Sequence, residues 1–173
     1  VLASPWSTAC STETSPADVR AGAARPASLE PATVGSVPNL HAYGDVLLAG
    51  QPGEGDLAAL RERGVKTVLD LRTPEEDRGF DESGRLRALG MEYVPLPFRA
   101  PETLTDEVFD RSRALLNDAS KHPLLVHCAS ANRVGAVWLA HRVLDGGLTW
   151  DAALAEAQAV GLRTAGYEAR ARE

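Results

Sequence analysis

One short segment of the sequence combines three reactive side chains. Residues 127–135 (HCASANRVG) contain an imidazole, a thiol and a guanidinium among small residues. The segment follows an apolar run and precedes a helical pattern, which is where α/β sheets bind ligands. Backbone N–H groups in such a turn can surround a tetrahedral anion, and the positive end of the helix favours its charge. The residues predicted to line this anion site are Ala129, Ser130, Ala131, Asn132 and Val134.

Cys128 and Arg133 are the predicted catalytic residues, and we call residues 128–133 the Cys-Arg loop. A thiol next to an arginine and a helix N-terminus ionises readily, and its thiolate is a nucleophile directed at the bound anion. The planar guanidinium of Arg133 can bind two oxygens at once. A lone cysteine is more often a small buried apolar residue, but His127, Cys128 and Arg133 together at one turn favour chemistry. His127 is predicted to position the loop rather than to act as an acid or base.

The rest of the chain predicts an α/β domain that places this loop. Apolar, β-branched runs predict strands, and patterns of helical period lie between them. The strands are predicted at 45–49, 65–71, 91–95 and 123–127, and the helices at 56–63, 82–89, 105–120, 134–144 and 149–160. This alternation requires crossover connections and produces a mostly parallel sheet. We therefore predict a single domain with a central sheet of four to five strands flanked by helices.

The first part of the chain is predicted to be a disordered tail. Two thirds of residues 1–36 are Ala, Pro, Ser, Thr or Gly, and such a composition buries too little apolar surface to order itself. The folded domain is accordingly assigned to residues 37–173. The run Ser7-Thr8-Ala9-Cys10 is similar to the end of a bacterial lipoprotein signal. A lipid anchor at Cys10, with export favoured over a cytoplasmic location, is one interpretation, and a chance cysteine in a low-complexity extension is the other.

Size, charge and cysteine count limit the possible functions. A chain of 173 residues accommodates one domain plus a tail. The net charge of −6 argues against a nucleic-acid partner. Two cysteines exclude a four-thiolate zinc site, and the predicted chemistry needs no metal or organic cofactor. The sequence has no run of 18 apolar residues, so no transmembrane segment is predicted.

Four segments together resemble the cysteine-dependent protein tyrosine and dual-specificity phosphatase superfamily, most closely the phosphatase-like domain of beta-lactamase-hydrolase-like proteins. They are Gly50-Gln51-Pro52, Val68 to Arg72 followed by Pro74-Glu75-Glu76, Tyr93 to Pro97, and His127 to Gly135. The resemblance covers about residues 38–165. It implies a phosphatase-like fold, a cysteinyl-phosphate intermediate, a phosphorylated small molecule or phosphoprotein as substrate, and a carboxylic acid that protonates the leaving oxygen.

The resemblance places the general acid between Pro97 and the next predicted helix. Glu102 and Asp106 are the carboxylates available there. Glu102 lies in the loop itself and is ranked slightly higher, because Asp106 could instead stabilise the first turn of the helix. Arg72, at the end of a predicted strand, could bind substrate or form a salt bridge with one of the acidic residues at 75–77. Arg99 has the same two interpretations.

Two departures from the phosphatase pattern leave other functions open. Cys128 and Arg133 enclose four residues, whereas the familiar phosphatase loop has five, and four is the spacing of rhodanese-like sulfurtransferases. Val134 stands where Ser or Thr is common, so Ser130 is the nearest hydroxyl for the leaving thiolate. Ala131 stands where glycine is expected, and it would be strained at positive φ. Sulfur transfer through a Cys128 persulfide and catalytically weak anion binding therefore remain alternatives to phosphate-ester hydrolysis.

Overall fold

The computed structural model describes residues 28–173, so Cys10 and its lipid-anchor interpretation lie outside the described residues. Within the described residues, six strands form one sheet in the order β1-β2-β3-β6-β4-β5. Their bounds are β1 (Glu30–Pro31), β2 (His41–Tyr43), β3 (Val46–Ala49), β4 (Thr67–Asp70), β5 (Glu92–Pro95) and β6 (Leu124–His127). Strands β3, β6, β4 and β5 are parallel, whereas β1 and β2 add an antiparallel edge. The predicted mostly parallel α/β sheet is confirmed, with six strands rather than four to five.

In the part of the chain that the structure describes, six α-helices cover the sheet. They are α1 (Asp56–Glu62), α2 (Glu82–Ala88), α3 (Asp106–Asn117), α4 (Asn132–Leu144), α5 (Trp150–Val160) and α6 (Ala165–Arg172), with 3₁₀ turns at Pro101–Thr103 and Ala119–Lys121. Two of these helices have a side-chain N-cap: the carboxylate of Asp81 accepts the N–H of Gly84 before α2, and the Thr149 hydroxyl accepts that of Ala152 before α5. None of the helices within residues 28–173 is long and apolar enough to cross a membrane.

The core has two apolar layers, one on each face of the sheet. Because side chains alternate along a strand, Leu48 and Val126 pack toward α3, α4, α5 and α6, whereas Leu47 and Leu125 pack toward α1 and α2. The central strands β3, β4 and β6 are buried along their whole length, as expected for a sheet covered on both faces. Helix α4 is buried from Arg133 to Arg142. The Cys-Arg loop therefore connects two buried elements, β6 and α4.

The predicted domain boundary at residue 37 is wrong, because the described part of the preceding segment already belongs to the fold. Strand β1 pairs with β2, and Val34 is buried in the core. Asp56 at the start of α1 accepts hydrogen bonds from the backbone N–H of Ser36 (2.7 Å) and from its hydroxyl. The composition of the segment indicated a tail, but composition cannot predict a hydrogen bond to a carboxylate 20 residues away. Residues 1–27 lie outside the described part of the chain.

Candidate active site

The Cys-Arg loop lies at the carboxyl end of β6, between the ends of β3 and β4. Cys128 directly follows β6 and is almost fully buried, and Asn132 begins α4. Within residues 28–173, the backbone N–H groups of Ala129, Ser130, Asn132 and Arg133 donate to no protein acceptor. Unpartnered N–H groups at a helix N-terminus are the usual ligands of phosphate-like anions. The loop therefore surrounds the thiol with free donors.

The conformation of Ala131 confirms the strain predicted from the sequence. Its φ of 65° lies in the left-handed region, which alanine occupies at a cost of about 1 kcal/mol or more. A glycine on the facing segment leaves room for the Ala131 methyl group, because a Cβ added to Gly161 would lie 3.1 Å from the Cβ of Ala131. The loop thus adopts the turn expected of the phosphatase pattern without the usual glycine. Val134 contributes only its backbone here, since its side chain is buried in the core.

Arg133 is held by a half-buried carboxylate and by two carbonyl groups. Its Nη1 and Nη2 donate to the two carboxylate oxygens of Glu76 at 2.6 and 2.7 Å, and Nη1 also donates to the carbonyls of Phe98 (2.8 Å) and Leu71 (3.1 Å). Burial alone would lower the pKa of Arg133, but Glu76 and Cys128 outweigh burial and raise this pKa. The guanidinium is therefore a permanent cation beside Cys128. Its Nη1 is fully used by the protein, and its remaining N–H groups are available for an anion.

Glu76 is a site residue that the sequence suggested only as a partner for Arg72. Hydrogen bonding to Arg133 lowers the pKa of Glu76 to about 2, against the opposing effect of burial and with help from the N–H of Thr73. Glu76 also accepts a hydrogen bond from Nε of Arg72 at 3.3 Å. The acidic residues at 75–77 indicated a carboxylate near the site, but the sequence did not show which of them contacts an arginine. Glu76 is therefore ionised at neutral pH, and it orients Arg133.

Arg72 donates a hydrogen bond to the protein from each of its three guanidinium nitrogens. Besides Glu76, its guanidinium donates from Nη1 to Oε1 of Gln51 (2.5 Å) and from Nη2 to the carbonyl of Asp77 (2.6 Å). These contacts are those of the salt-bridge interpretation, because each guanidinium nitrogen already has an acceptor. The substrate-binding role of Arg72 remains a prediction.

His127 lies beneath the loop in a buried network of charged groups. Its Nε2 is 3.1 Å from Oε1 of Glu82 and 3.8 Å from Oδ1 of Asp70, and none of the three side chains is accessible to solvent to any useful extent. Asp70 accepts hydrogen bonds from Nη2 of Arg78 (2.6 Å) and from the hydroxyl of Tyr93 (2.8 Å). Burial and the charge of Asp70 raise the pKa of Tyr93. Within residues 28–173 neither ring nitrogen of His127 has a hydrogen-bond partner, and the positioning role of His127 remains a prediction.

The same network is the one set of side chains within residues 28–173 with a metal-like arrangement. The possible ligand atoms of Asp70, Glu82 and His127 all lie within 4.8 Å of one another. The guanidinium of Arg78 already lies among them, 2.6 Å from Asp70 and 3.4 Å from Glu82. Arg78 therefore supplies the positive charge that two buried carboxylates require. These residues fit an ion-pair network better than a divalent cation.

The two candidate acids lie in different surroundings. Glu102 is exposed in the 3₁₀ turn Pro101–Thr103. Burial raises the pKa of Tyr167, and the negative charges of Cys128, Glu76 and Glu102 add to this effect against the opposing charge of Arg133. Glu102 and Cys128 are therefore both close enough to the Tyr167 hydroxyl to influence its pKa. Asp106 is in the first turn of α3, with 87% of its side chain exposed and an ion pair to Arg170 of α6. The proton-donor role of either carboxylate remains a prediction.

The outer side of the loop contacts the connection between α5 and α6, which the sequence did not indicate. Nη2 of Arg163 donates to the hydroxyl of Ser130 at 2.6 Å, and the backbone N–H of Arg163 donates to Oδ1 of Asn132 at 2.8 Å. Nδ2 of Asn132 donates to the hydroxyl of Thr164 at 2.8 Å. The side chains of Ser130 and Asn132 thus bind the protein, and their backbone N–H groups are left for a ligand.

Sequence comparison identifies phosphatase relatives. Residues 39–166 match the family described as "DSP-PTPase phosphatase fused to NAD+ Kinase". The beta-lactamase hydrolase-like protein of Agrobacterium fabrum is 27% identical over 103 residues, which cover 57% of this chain and 23% of that protein. The chain thus spans less than a quarter of the length of this curated relative.

Structure comparison identifies the same fold in solved phosphatases. TpbA of P. aeruginosa is 25% identical with a TM-score of 0.68, and the match covers 82% of this chain and 88% of TpbA. The catalytic domain of the PP-IP phosphatase Siw14 of S. cerevisiae is 18% identical with a TM-score of 0.66, over 80% of this chain and 87% of Siw14. The family match covers well over half of the chain and includes the whole Cys-Arg loop, and the chain therefore belongs to the DSP-PTPase phosphatase family.

Proposed function

We propose that the protein hydrolyses phosphate monoesters through a cysteinyl-phosphate intermediate on Cys128. The observation that carries this proposal is the set of unpartnered N–H groups in the Cys-Arg loop, which surrounds a buried thiol next to the Arg133 guanidinium. This arrangement suits a tetrahedral anion with a reactive centre above the sulfur. Membership of a phosphatase family favours phosphate hydrolysis over sulfur transfer for the same loop.

The reaction has two steps. The Cys128 thiolate attacks phosphorus, so that an S–P bond forms while the P–O bond to the leaving group breaks, and the leaving oxygen takes a proton from Glu102. Water then attacks the phosphorus of the cysteinyl phosphate and gives up its proton to the same carboxylate. The S–P bond breaks and the thiolate is restored. The loop N–H groups and Arg133 bind the non-bridging oxygens, whose negative charge they stabilise through both steps.

The substrate is proposed to be a phosphorylated small molecule or a phosphoprotein. TpbA was crystallised with phosphotyrosine, and Siw14 is described as a PP-IP phosphatase. An aryl phosphate is therefore a suitable first substrate, and phosphotyrosine peptides and inositol pyrophosphates are the next two classes to compare.

The decisive experiment is a paired assay of the full chain and two serine variants. Aryl-phosphate hydrolysis and sulfur transfer from thiosulfate to cyanide are measured for the wild type, Cys128→Ser and the matched control Cys10→Ser. We expect aryl-phosphate hydrolysis that is abolished in Cys128→Ser and unchanged in Cys10→Ser, because serine is not ionised at neutral pH. Mass spectrometry of acid-quenched wild-type protein should detect a phosphate on the peptide that contains Cys128. Sulfur transfer without phosphate hydrolysis would overturn the proposal in favour of the sulfurtransferase alternative.

A further inference from the structure

The connection between α5 and α6 contributes one residue, Arg163, that donates three separate hydrogen bonds to the Cys-Arg loop. Its Nη2 donates to the hydroxyl of Ser130 (2.6 Å), its Nη1 to the carbonyl of Ser130 (3.5 Å), and its backbone N–H to Oδ1 of Asn132 (2.8 Å). The guanidinium also donates to the carbonyl of Gly161 (3.3 Å). Within residues 28–173 these contacts involve no carboxylate, so the charge of Arg163 is directed at the loop itself.

These contacts determine which way the peptide groups of the loop face. A guanidinium and a backbone N–H can only donate hydrogen bonds, so the loop atoms that these groups of Arg163 contact are acceptors. In a trans peptide group, the carbonyl and the following N–H point in opposite directions. Because the Ser130 carbonyl faces Arg163 on the outside of the loop, the N–H of Ala131 is turned away from Arg163, toward the end of β3, where Ser130 forms a bridge with Gly50. Arg163 therefore helps to fix the orientation of the peptide groups of the loop, whose free donors are those of the neighbouring residues.

The loop needs such a restraint at this position. Ala131, in the same peptide group, has a φ of 65°, which glycine adopts readily and alanine does not. A strained backbone persists only where surrounding contacts determine it. The contacts of Arg163 on Ser130 and Asn132 lie on both sides of Ala131, and Gly161 leaves space for its methyl group. Tertiary contacts from the α5–α6 connection thus stabilise a backbone conformation that a glycine would adopt without them.

We propose that Arg163 is a positioning residue that holds the Cys-Arg loop in its anion-binding conformation. The proposal rests on the proposed function of that loop, since it assigns Arg163 a role in phosphate binding. Arg163 acts through Ser130 and Asn132 and does not itself contact the reacting atoms. Its loss is therefore expected to weaken binding of phosphate, and transition-state stabilisation with it.

The test compares Arg163→Ala, Arg163→Lys and the control Arg63→Ala in the full chain. Arg63 is an exposed arginine at the end of α1, shortly before the start of β4. It therefore lies at the amino end of the parallel strands, whereas the Cys-Arg loop lies at their carboxyl end. Binding of inorganic phosphate is measured by calorimetry, and aryl-phosphate hydrolysis gives kcat and KM. We expect Arg163→Ala to weaken phosphate binding and lower kcat/KM by about tenfold, the size of one charged hydrogen bond. Arg163→Lys should recover part of the loss, because an ammonium can still donate to Ser130, and Arg63→Ala should match the wild type.

A double-mutant cycle with Ser130→Ala separates positioning from direct contact with the substrate. If Arg163 acts through the loop, Arg163→Ala should cost clearly less in the Ser130→Ala background than in the wild type. Equal costs in both backgrounds, or an Arg163→Ala variant that behaves like Arg63→Ala, would refute the positioning role. Binding of phosphate that depends on Arg163 without any hydrolysis would support this inference and reject the proposed function. Hydrolysis that is indifferent to Arg163 would do the reverse, and a wild type that neither binds nor hydrolyses would reject both.

Discussion

Replacing Glu76 by Gln tests the ion pair that orients Arg133. The substitution keeps the size of the side chain and one oxygen acceptor, but it removes the negative charge and turns one of the two acceptors into a donor. Arg133 is 7% exposed, so its buried charge would lose its counter-ion while the carbonyls of Phe98 and Leu71 remain. A buried charge without a partner is costly. We expect Glu76→Gln to be less stable and less active than the wild type.

The size of the effect follows from the pKa of Glu76. This pKa is lowered from 4.5 to about 2, and the difference corresponds to about 3 kcal/mol at 1.36 kcal/mol for each tenfold change in acidity. The side chain is 15% exposed, and solvent screening reduces the expected contribution to about 2 kcal/mol. Because the pKa is lower in the folded state, this contribution is complete above pH 4.5 to 5. It is lost as the pH falls from about 5 to about 2.

The assay is denaturant unfolding of the wild type and Glu76→Gln between pH 7 and pH 3. Glu75→Gln is the matched control, because Glu75 is the exposed neighbour and removing it causes the same change in net charge. The free energy of unfolding of Glu76→Gln should lie about 2 kcal/mol below that of the wild type at pH 7. At pH 3 the difference should have fallen to about half of that, because the carboxylate is then largely protonated in the unfolded state and still largely ionised in the folded state. A difference below about 0.5 kcal/mol at pH 7, or one that persists undiminished at pH 3, would refute the reasoning.

Four further substitutions test the remaining parts of the site. Arg133→Lys should lower kcat/KM for an aryl phosphate by about 10²-fold or more, because an ammonium cannot reproduce the planar fork; steady-state kinetics that match the wild type would contradict this. Glu102→Gln should slow alkyl phosphates more than nitrophenyl phosphate, by up to about 10²–10⁴, whereas Asp106→Asn should change both rates little. An equal loss on both substrates would make the carboxylate structural. Gly161→Ala should lower stability by about 1–3 kcal/mol in denaturant unfolding and weaken phosphate binding, because its φ of 141° and the nearby Ala131 leave no place for a methyl group; unchanged unfolding and binding would show that the loop does not depend on this contact.

Local patterns in the sequence were sufficient for most of the fold. Apolar runs predicted β3 to β6, and periodic patterns with their capping residues predicted α1 to α5, because both signals depend on neighbouring residues only. Strands β1 and β2 were missed, since they are two and three residues long and owe their extended form to pairing at the sheet edge. Helix α6 was missed because two glycines at 161 and 166 indicated an end. It forms where Tyr167 packs against Phe98, with ring centroids 5.6 Å apart.

The residue types and spacing of segment 127–135 by themselves determined the place of the thiol, the guanidinium and the helix that follows them, because a strand-to-helix turn brings these groups together locally. The tertiary structure alone decided what holds them. Glu76 pairs with Arg133 across 57 residues, and Arg163 contacts Ser130 across 33 residues. The sequence alone does not show which of its carboxylates pairs with Arg133. Which carboxylate pairs with Arg133 depends on which loops lie together at the carboxyl ends of the parallel strands. That arrangement is set by packing between elements that are far apart in the sequence.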